Sequence, residues 1–248
     1  MRLTRLHVDL ALTPGAEFDL PSAQARHAVQ VLRLERDASL VLFNGDGHDY
    51  PARLIEVRRD RARVLIESRG DPEPESRLDI DLALGISKGE RMDFAIQKAV
   101  ELGVTRITPL FTRRAQVRLD GARLDKRLEH WRGVVIAACE QSGRRRLPVL
   151  ETAADLESWL GTALGEGRTR GLLLDPLAER ALPALPTPES GLTLLIGPEG
   201  GLDSRELEAA RHQGFQGVRL GPRILRTETA PLAAIAVIQA LWGDFRDA

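Results

Sequence analysis

The chain has 248 residues, a formal net charge of −1 and a hydrophobic content of 43%. This length allows one large or two small domains, and the composition is sufficient for a buried core. No apolar run reaches the length of a membrane-spanning helix, and the N-terminus lacks the apolar stretch of a signal peptide. The single cysteine, Cys139, excludes an internal disulfide and a cysteine-rich metal site. We therefore expect a soluble, cytoplasmic protein.

The charges are distributed unevenly along the chain. Residues 113–146 contain ten basic and four acidic residues, whereas residues 147–217 contain five basic and eleven acidic ones. A one-sided basic segment is what an RNA or DNA partner requires, but the solvated face of a helix produces the same pattern. Both interpretations stay open on charge alone.

The N-terminal part of the chain is predicted to be mostly β-structure. A helix is expected first, with Ser22 as its cap and Ala25, Val29 and Leu32 on one face. Strand patterns separated by turn signals then occupy residues 40–44, 50–57 and 62–67. We interpret residues 1–72 as a small β-barrel.

A segment with two prolines among acidic residues, 70–77, indicates a linker to a second domain of residues 73–248. Strands alternate with helices in this domain, which is typical of a mostly parallel sheet covered on both faces. The predicted strands are 78–86, 104–111, 171–174, 192–196 and 215–220. The predicted helices are 90–102, 122–141, 153–164, 203–213 and 230–242. The fourth helix has the capping box Asp203-Ser204-Arg205-Glu206 at its start.

Two glycine-rich segments follow apolar strand patterns in the second domain, Gly197–Gly201 and 220–229. Ligands of open α/β sheets bind where loops leave the carboxyl ends of strands, and glycine allows the backbone to approach a ligand closely. The main chain and apolar side chains of 220–225 suit a flat heterocycle such as adenine. An ordinary turn or a phosphate site at a helix N-terminus is the alternative for the first segment, although no P-loop motif is present.

The segment Ser87–Arg91 follows the first strand of the second domain, so we expect it at the same sheet edge, with a plain strand-to-helix turn as the alternative. Arg226 and Glu228 would add charges to this edge, unless they form a surface ion pair with each other. One of Thr227 and Thr229 is expected to be the N-cap of the last helix. The five histidines show no metal-ligand spacing, and no metal is expected.

The two runs Leu195–Leu202 and Leu220–Ala230 resemble those of the RsmE-type 16S ribosomal RNA methyltransferases of the SPOUT superfamily. The resemblance covers nearly the whole chain, because further segments match the family in the same order: 87–92, 97–98, 101–104, 107–110 and 137–144. His27 with Val31-Leu32-Arg33 looks like part of the family's PUA-like RNA-binding domain. Several separated motifs in one order are more specific than any of them alone.

The resemblance implies a C-terminal SPOUT methyltransferase domain, α/β with a trefoil knot, behind an N-terminal PUA-like β-barrel. It implies methylation of uracil N3 at a single site of 16S rRNA in the small ribosomal subunit, by a homodimer that uses S-adenosyl-L-methionine. By the same analogy, three strand-ending loops hold the cofactor. The residues expected there are Leu174, Pro176, Ile196, Gly197, Glu199, Gly200, Gly201, Leu220, Gly221, Ile224, Leu225 and Arg226.

For the chemistry, Arg226 is expected to contact the uracil oxygens, and Glu228 or Glu199 is the candidate acceptor of the N3 proton, with solvent as the alternative acceptor. The expected RNA contacts are Arg33, Lys88, Arg91, Arg113, Arg114 and Arg144. Three other functions remain open: methylation of transfer RNA on a ribose 2′-oxygen or a base, a non-catalytic RNA-binding assembly factor, and a phosphate-binding nucleotide enzyme. The missing P-loop disfavours the last.

Overall fold

A computed structural model describes residues 3–74, 78–117, 119–165 and 169–246. The chain divides into two compact units. The first comprises Met1–Glu75 and Ile136–Leu147, and the second comprises Ser76–Val135 and Pro148–Ala248. Each unit contains one sheet, of five and of seven strands.

The first unit is built on strands β1 (Thr4–His7), β2 (Glu17–Asp19), β3 (Ser39–Phe43), β4 (Tyr50–Val57) and β5 (Ala62–Ile66). Their spatial order is β1-β3-β4-β5-β2, and every neighbouring pair is antiparallel except β1 with β3. Alternate side chains of the central strands are buried, which is the pattern of a sheet with one face on the core. The three strands predicted from sequence, β3, β4 and β5, are confirmed within one residue at each end.

The first helix, α1 (Ser22–Arg26), continues directly into a π-helical turn, His27–Val31. The prediction that Ser22 caps this helix is wrong, because Ser22 is its first residue and Pro21 precedes it without a side-chain hydrogen bond. Val29 packs against the core as expected, but Leu32 is exposed. Its amide donates to the carbonyl five residues earlier, and this wider turn rotates Leu32 away from the helical face that the sequence predicts.

The second unit contains strands β6 (Asp79–Gly85), β7 (Arg106–Phe111), β8 (Val149–Leu150), β9 (Ala154–Asp155), β10 (Thr169–Leu174), β11 (Gly191–Ile196) and β12 (Gln216–Val218). The order is β12-β10-β11-β6-β7-β8, with β9 also paired to β7, and all these pairs are parallel. All six residues of β11 are buried, which requires cover on both faces of the sheet. The predicted α/β class with a parallel sheet is confirmed.

The remaining helices are α2 (Glu90–Glu101), α3 (Gly121–Ser142), α4 (Leu156–Leu160), α5 (Ser204–His212) and α6 (Thr229–Trp242). The capping box of α5 is present as predicted, with reciprocal bonds between Asp203 and Glu206. The helix predicted over 153–164 is shorter, because β9 pairs with β7 before α4 can begin. In the described part of the chain, no helix combines the length and apolar composition needed to cross a membrane.

A cluster of charged residues fixes the C-terminal end of α3 within the first unit. The Arg5 side chain is 8% exposed and forms an ion pair with Asp49, whose other carboxylate oxygen accepts from Arg145 Nε at 3.1 Å. Glu73 Oε2 accepts from the backbone amides of Arg145 and Arg146 at 2.9 and 2.8 Å. This part of the basic segment therefore has internal acidic partners.

Cys139 lies in the same part of α3 and is buried, as the sequence predicts. Burial raises the pKa of its thiol to about 11. A thiol with this pKa stays protonated at neutral pH, and the thiolate is the reactive form. Cys139 therefore has a packing role rather than a chemical one.

Replacing Asp49 with alanine would leave the buried Arg5 guanidinium without its carboxylate. Because an uncompensated buried charge is costly, we expect the free energy of unfolding to fall by about 3 kcal/mol in equilibrium urea unfolding. The matched control is Glu56→Ala, whose partner Arg58 has a side chain that is 70% exposed. This variant should lose less than about 1 kcal/mol. Equal losses in the two variants would contradict the role assigned to Asp49.

Candidate functional site

The parallel sheet of the second unit directs several loops to one edge. The loops after β6, β7, β10, β11 and β12 all leave from the carboxyl ends of parallel strands. Three of these strands, β10, β11 and β12, precede the loops that the sequence predicts to hold a cofactor. The segment Ser87–Arg91 follows β6, which is paired with β11, so it lies at this edge as expected.

The loop Gly197–Gly201 is a tight turn pressed against the end of β6. The Gly201 amide donates to the Pro198 carbonyl at 2.8 Å, and Gly201 has a φ of +67°, a conformation that favours glycine. A Cβ on Gly85, the last residue of β6, would lie 2.5 Å from Pro198 Cδ and 2.6 Å from Pro198 N. The buried Ile196 ends β11 just before this turn. The absence of a side chain at Gly85 therefore sets the position of the loop.

Glu199 is the charged residue of this loop, and its carboxylate is held by two hydrogen bonds. Its Oε1 accepts from the Lys88 backbone amide at 3.0 Å and from Arg91 Nη1 at 3.2 Å. Its side chain is 15% exposed, and Oε2 is buried without a hydrogen-bond partner among the described residues. A buried carboxylate oxygen with no donor is unfavourable, so Oε2 is suited to a donor on a bound molecule.

The same Arg91 guanidinium also approaches the second glycine-rich segment. Arg91 Nε lies 4.0 Å from Glu228 Oε2, and the Glu228 side chain is 22% exposed. The alternative pairing of Glu228 with Arg226 is not observed, since Arg226 is exposed and forms no ion pair with a described residue. The structure thus brings both candidate proton acceptors, Glu199 and Glu228, to one arginine.

The segment from Leu220 to Arg226 is the most open part of this edge. Gly221 has a φ of +66°, residues 221–224 are exposed, and Ile224 is 85% exposed. Leu220 and Leu225 are half-buried. Apolar side chains left this exposed are available for contact with a ligand or another chain.

The expected threonine cap of α6 is wrong. Glu228 precedes the helix as its N-cap and makes no side-chain cap bond. The buried Thr227 hydroxyl instead points to the Gly197 carbonyl, at 3.5 Å, and Thr229 is already the first helical residue. The Thr227 side chain therefore contributes to the contact between the two glycine-rich segments rather than capping α6.

The loop after β10 is held by its aspartate. Asp175 is buried and accepts from the Leu177 amide and from Arg211 Nη2, both at 2.9 Å. Its own amide donates to the Val218 carbonyl at 2.9 Å, which ties this loop to the end of β12. Leu174 is half-buried and Pro176 is exposed. Leu177, which the sequence analysis did not single out, is 90% exposed at this edge.

A cavity of about 590 Å³ lies beside this arrangement, lined by Lys88, Gly89, Glu90, Arg91 and Gln116. Small-molecule sites usually have volumes of about 300–1,000 Å³, so this cavity is large enough for a ligand group. Gln116 was missed by sequence reasoning, and its place shortly after β7 is the signal that could have found it. The Lys88 side chain forms no ion pair within the described part of the chain.

Besides Arg91, two of the arginines expected to contact RNA have internal partners. Arg114 Nη1 donates to the Gly200 carbonyl at 3.1 Å. Arg113 pairs with Glu157 at 2.6 Å, and its backbone amide donates to Glu206 at 2.7 Å. These contacts connect the loop after β7 to the Gly197–Gly201 loop and to the start of α5. Contact of Arg113 and Arg114 with RNA stays a prediction.

Two further arginines of that set, Arg33 and Arg144, belong to the first unit. Arg33 is exposed and has a φ of +53°, which is uncommon for a residue with a side chain. Arg144 is half-buried, and its carbonyl accepts from Arg5 Nη2 at 3.0 Å. Their roles also stay predictions.

A smaller cavity of about 310 Å³ lies at the opposite, amino edge of the second sheet, lined in part by Asp81, Thr105 and Arg106. Burial raises the pKa of Asp81, although Arg106 opposes this effect. Arg106 also pairs with Glu151. Among the described residues, no group of three or more histidine, cysteine or acidic side chains could hold a metal ion.

Comparison with known families identifies the class of protein that this fold and site define. Residues 74–239 match the family described as RNA methyltransferase domain, and residues 20–67 match the family described as RNA methyltransferase PUA domain. The first match covers more than half of the chain. The two matches correspond to the α/β sheet with its glycine loops and to the small β-structured unit.

Individual relatives narrow this class. A ribosomal RNA small subunit methyltransferase E of Buchnera aphidicola is 33% identical over 243 residues, which is 98% of each chain. The crystal structure of the Neisseria gonorrhoeae protein of the same name, bound to S-adenosylmethionine, is 40% identical with a TM-score of 0.91, covering 98% of this chain and 100% of that one. A Legionella pneumophila protein, solved with the cofactor SAM bound, is 38% identical with a TM-score of 0.93 and the same coverage. The chain belongs to the ribosomal RNA small subunit methyltransferase E family.

Substituting Gly85 with alanine should displace the Gly197–Gly201 loop, because the added Cβ overlaps Pro198. We expect the free energy of unfolding to fall by about 1–3 kcal/mol, measured by urea unfolding, as for other overpacked sites. Gly133→Ala is the matched control, since Gly133 lies in α3 and a Cβ there meets no atom within 4 Å. Alanine should stabilise that helix by up to about 1 kcal/mol. An unchanged stability of the Gly85→Ala variant would contradict the close packing.

Proposed function

We propose that this protein transfers the methyl group of S-adenosyl-L-methionine to N3 of a uracil at a single site of 16S rRNA, in the small ribosomal subunit, giving 3-methyluridine. The observation that carries the proposal is the anchored Glu199, which has one buried oxygen without a hydrogen-bond partner among the residues the structure describes, beside a cavity at this edge of the sheet. Similarity along nearly the whole chain to two proteins solved with this cofactor supports it.

The chain's residues fit this cofactor in chemical type. Its ammonium group and ribose hydroxyls are hydrogen-bond donors of the kind that Glu199 Oε2 lacks. Gly200 is exposed and Gly201 is half-buried, and the exposed Ile224 and half-buried Leu225 offer apolar contact to an adenine ring. The residues that would hold the cofactor are Leu174, Pro176, Ile196, Gly197, Glu199, Gly200, Gly201, Leu220, Gly221, Ile224 and Leu225.

When bound, S-adenosylmethionine supplies a methyl group on a positively charged sulfur, so the protein's task is to prepare the acceptor. Uracil N3 carries a proton and becomes nucleophilic when the proton leaves. Arg226 is exposed with no ion-pair partner among the described residues, and it would stabilise the uracil oxygens as negative charge develops on them. Glu199 or Glu228 would accept the N3 proton directly or through water.

RNA would contact the basic residues at this edge and in the first unit. Lys88 is the most available of them in the second unit, because its side chain is exposed beside the cavity. The proposed phosphate contacts are Arg33, Lys88, Arg113, Arg114 and Arg144. A target base inside folded RNA has to leave its stack to reach such a cavity. We further propose that the protein acts on ribosomes in the cytoplasm.

We also propose that two copies of the chain associate through α6. This helix buries Ala234 and Ile235 in its own unit but leaves Leu232, Ala233 and Val237 only half-buried. Small apolar side chains permit the close helix approach that a two-fold contact uses. A monomer in light scattering at micromolar concentration would contradict this association.

Incubation of the purified protein with S-adenosylmethionine and small ribosomal subunits that lack the modification tests the function. Digestion of the RNA and mass spectrometry of its nucleosides should then reveal new 3-methyluridine. A 2′-O-methylated or differently methylated nucleoside would contradict the proposed chemistry. No methylated nucleoside, despite cofactor binding in a parallel titration, would favour a non-catalytic RNA-binding factor.

In the same assay, replacing Arg226 with alanine should lower kcat by about 100-fold, the usual effect of removing a group that stabilises developing charge. The affinity for S-adenosylmethionine, measured by calorimetry, should change by less than about threefold, because this interaction is made with the uracil. Arg205→Ala on α5, which is also exposed, is the control and should keep wild-type activity. A large loss of cofactor affinity would instead place Arg226 against the cofactor.

A further inference from the structure

One guanidinium, that of Arg91, lies between the two glycine-rich segments of the site. Its Nη1 donates to Glu199 Oε1 at 3.2 Å, and its Nε lies 4.0 Å from Glu228 Oε2. Glu199 and Glu228 belong to different loops, separated along the chain by α5 and β12. Arg91 therefore joins, through two carboxylates, the loop after β11 and the segment before α6.

The backbone before Arg91 is shaped for this contact. Gly89 precedes α2 with φ +66° and ψ −141°, a conformation that residues with a Cβ rarely adopt. It follows Lys88, whose amide donates to Glu199, and precedes the first turn of α2, where Arg91 lies. The amide and the guanidinium thus reach the same carboxylate oxygen from one short segment.

The two oxygens of Glu199 differ as a consequence. Oε1 has two donors, whereas Oε2 has none among the described residues, although it is buried. Two hydrogen bonds to one oxygen fix the rotation of the carboxylate, and this rotation determines where Oε2 points. Among the described residues, Glu228 has one ion-pair contact, the distant one with Arg91, so its orientation depends more strongly on that single charge.

The local charge also distinguishes Arg91 from a phosphate contact. Its side chain is 47% exposed, but its one positive charge faces two carboxylates. A phosphate would have to compete with both of them for the guanidinium. Lys88, which has no such partner among the described residues, is better suited to attract RNA.

We propose that Arg91 is a positioning residue, which holds Glu199 and Glu228 in the orientation that the bound reactants require and does so without contacting the RNA. This inference rests on the proposed function, since it assigns Arg91 a role in that site. It replaces the expectation that Arg91 binds RNA phosphate. Arginine is suited to this role because its planar group can hydrogen-bond two acceptors in fixed directions, which the ammonium group of lysine cannot do.

A double-mutant cycle tests the proposal with wild-type protein, Arg91→Ala, Glu199→Gln and the double variant. The readouts are kcat and KM for small ribosomal subunits at saturating S-adenosylmethionine. Arg91→Ala should lower kcat by about tenfold, with KM changed less than about twofold, because positioning affects the bound state. In the Glu199→Gln background the same substitution should lower kcat by less than about threefold, because the group it positions is already altered.

Two further variants separate positioning from loss of an ion pair. Arg91→Lys keeps the positive charge but loses the planar guanidinium with its several donors. Its kcat should lie between those of the wild type and Arg91→Ala. Arg106→Ala is the matched control, since Arg106 has a 44% exposed side chain paired with two carboxylates at the opposite edge of the same sheet. It should keep wild-type kcat.

Three results would overturn the proposal. The first is an unchanged kcat in Arg91→Ala. The second is an equal loss of kcat on this substitution in the wild-type protein and in the Glu199→Gln variant. The third is a raised KM with unchanged kcat, which would identify a direct RNA contact.

Failure of the proposed function is recognised separately, as an absence of methylated nucleoside with the wild-type protein. The four proteins of the cycle are then titrated with S-adenosylmethionine alone. Arg91→Ala and Glu199→Gln should each lower the affinity for the cofactor. The double variant should bind it with an affinity no lower than that of the single variant with the lower affinity. Independent, additive losses in this titration, or no loss in Arg91→Ala, would overturn the positioning role by itself.

Discussion

The parallel pairing of β11 with β10 on one side and β6 on the other is the constraint on which the site depends. It places the ends of these strands at one edge, so that segments more than a hundred residues apart in the chain can meet. The fit is tight, since the loop after β11 packs on Gly85 at a distance that no side chain could occupy. The hydrophobic burial of β11 thus determines where Glu199 is presented.

Hydrogen bonds and ion pairs of buried carboxylates then fix the positions of the loops that the sheet brings together. Around Glu199 the pairing is incomplete, because Lys88 and Arg91 donate to one carboxylate oxygen while the other has no donor in the described part of the chain. At the start of α5, by contrast, the buried Glu206 is fully used, with one oxygen bonded to the Arg113 amide and the other to the Asp203 amide. The contrast distinguishes a carboxylate that holds the fold together from one that is available to a ligand.

Several expectations from sequence were wrong where a longer-range contact overrode a local preference. Thr227 has the side chain of a helix cap, but its hydroxyl faces Gly197, thirty residues earlier in the chain. Ala154 and Asp155 lie in a helical pattern, but they pair with β7. Ser22 is displaced as a cap by Pro21, and the following π-helical turn moves Leu32 off the core face. The boundary between domains 1–72 and 73–248 stays a prediction, as do the roles of the individual site residues.

The sequence by itself determined the α/β class, most strand and helix positions, the capping box of Asp203 and Glu206, and the family. These features follow from hydrophobic periodicity, local capping chemistry and the order of motifs, all of which can be read from the linear sequence. Only the tertiary structure decided that Arg91 lies between Glu199 and Glu228, that Arg114 holds Gly200, and that Gln116 lines the cavity. The physical reason is that these contacts join separate loops, whose distances depend on sheet order and packing rather than on any local pattern.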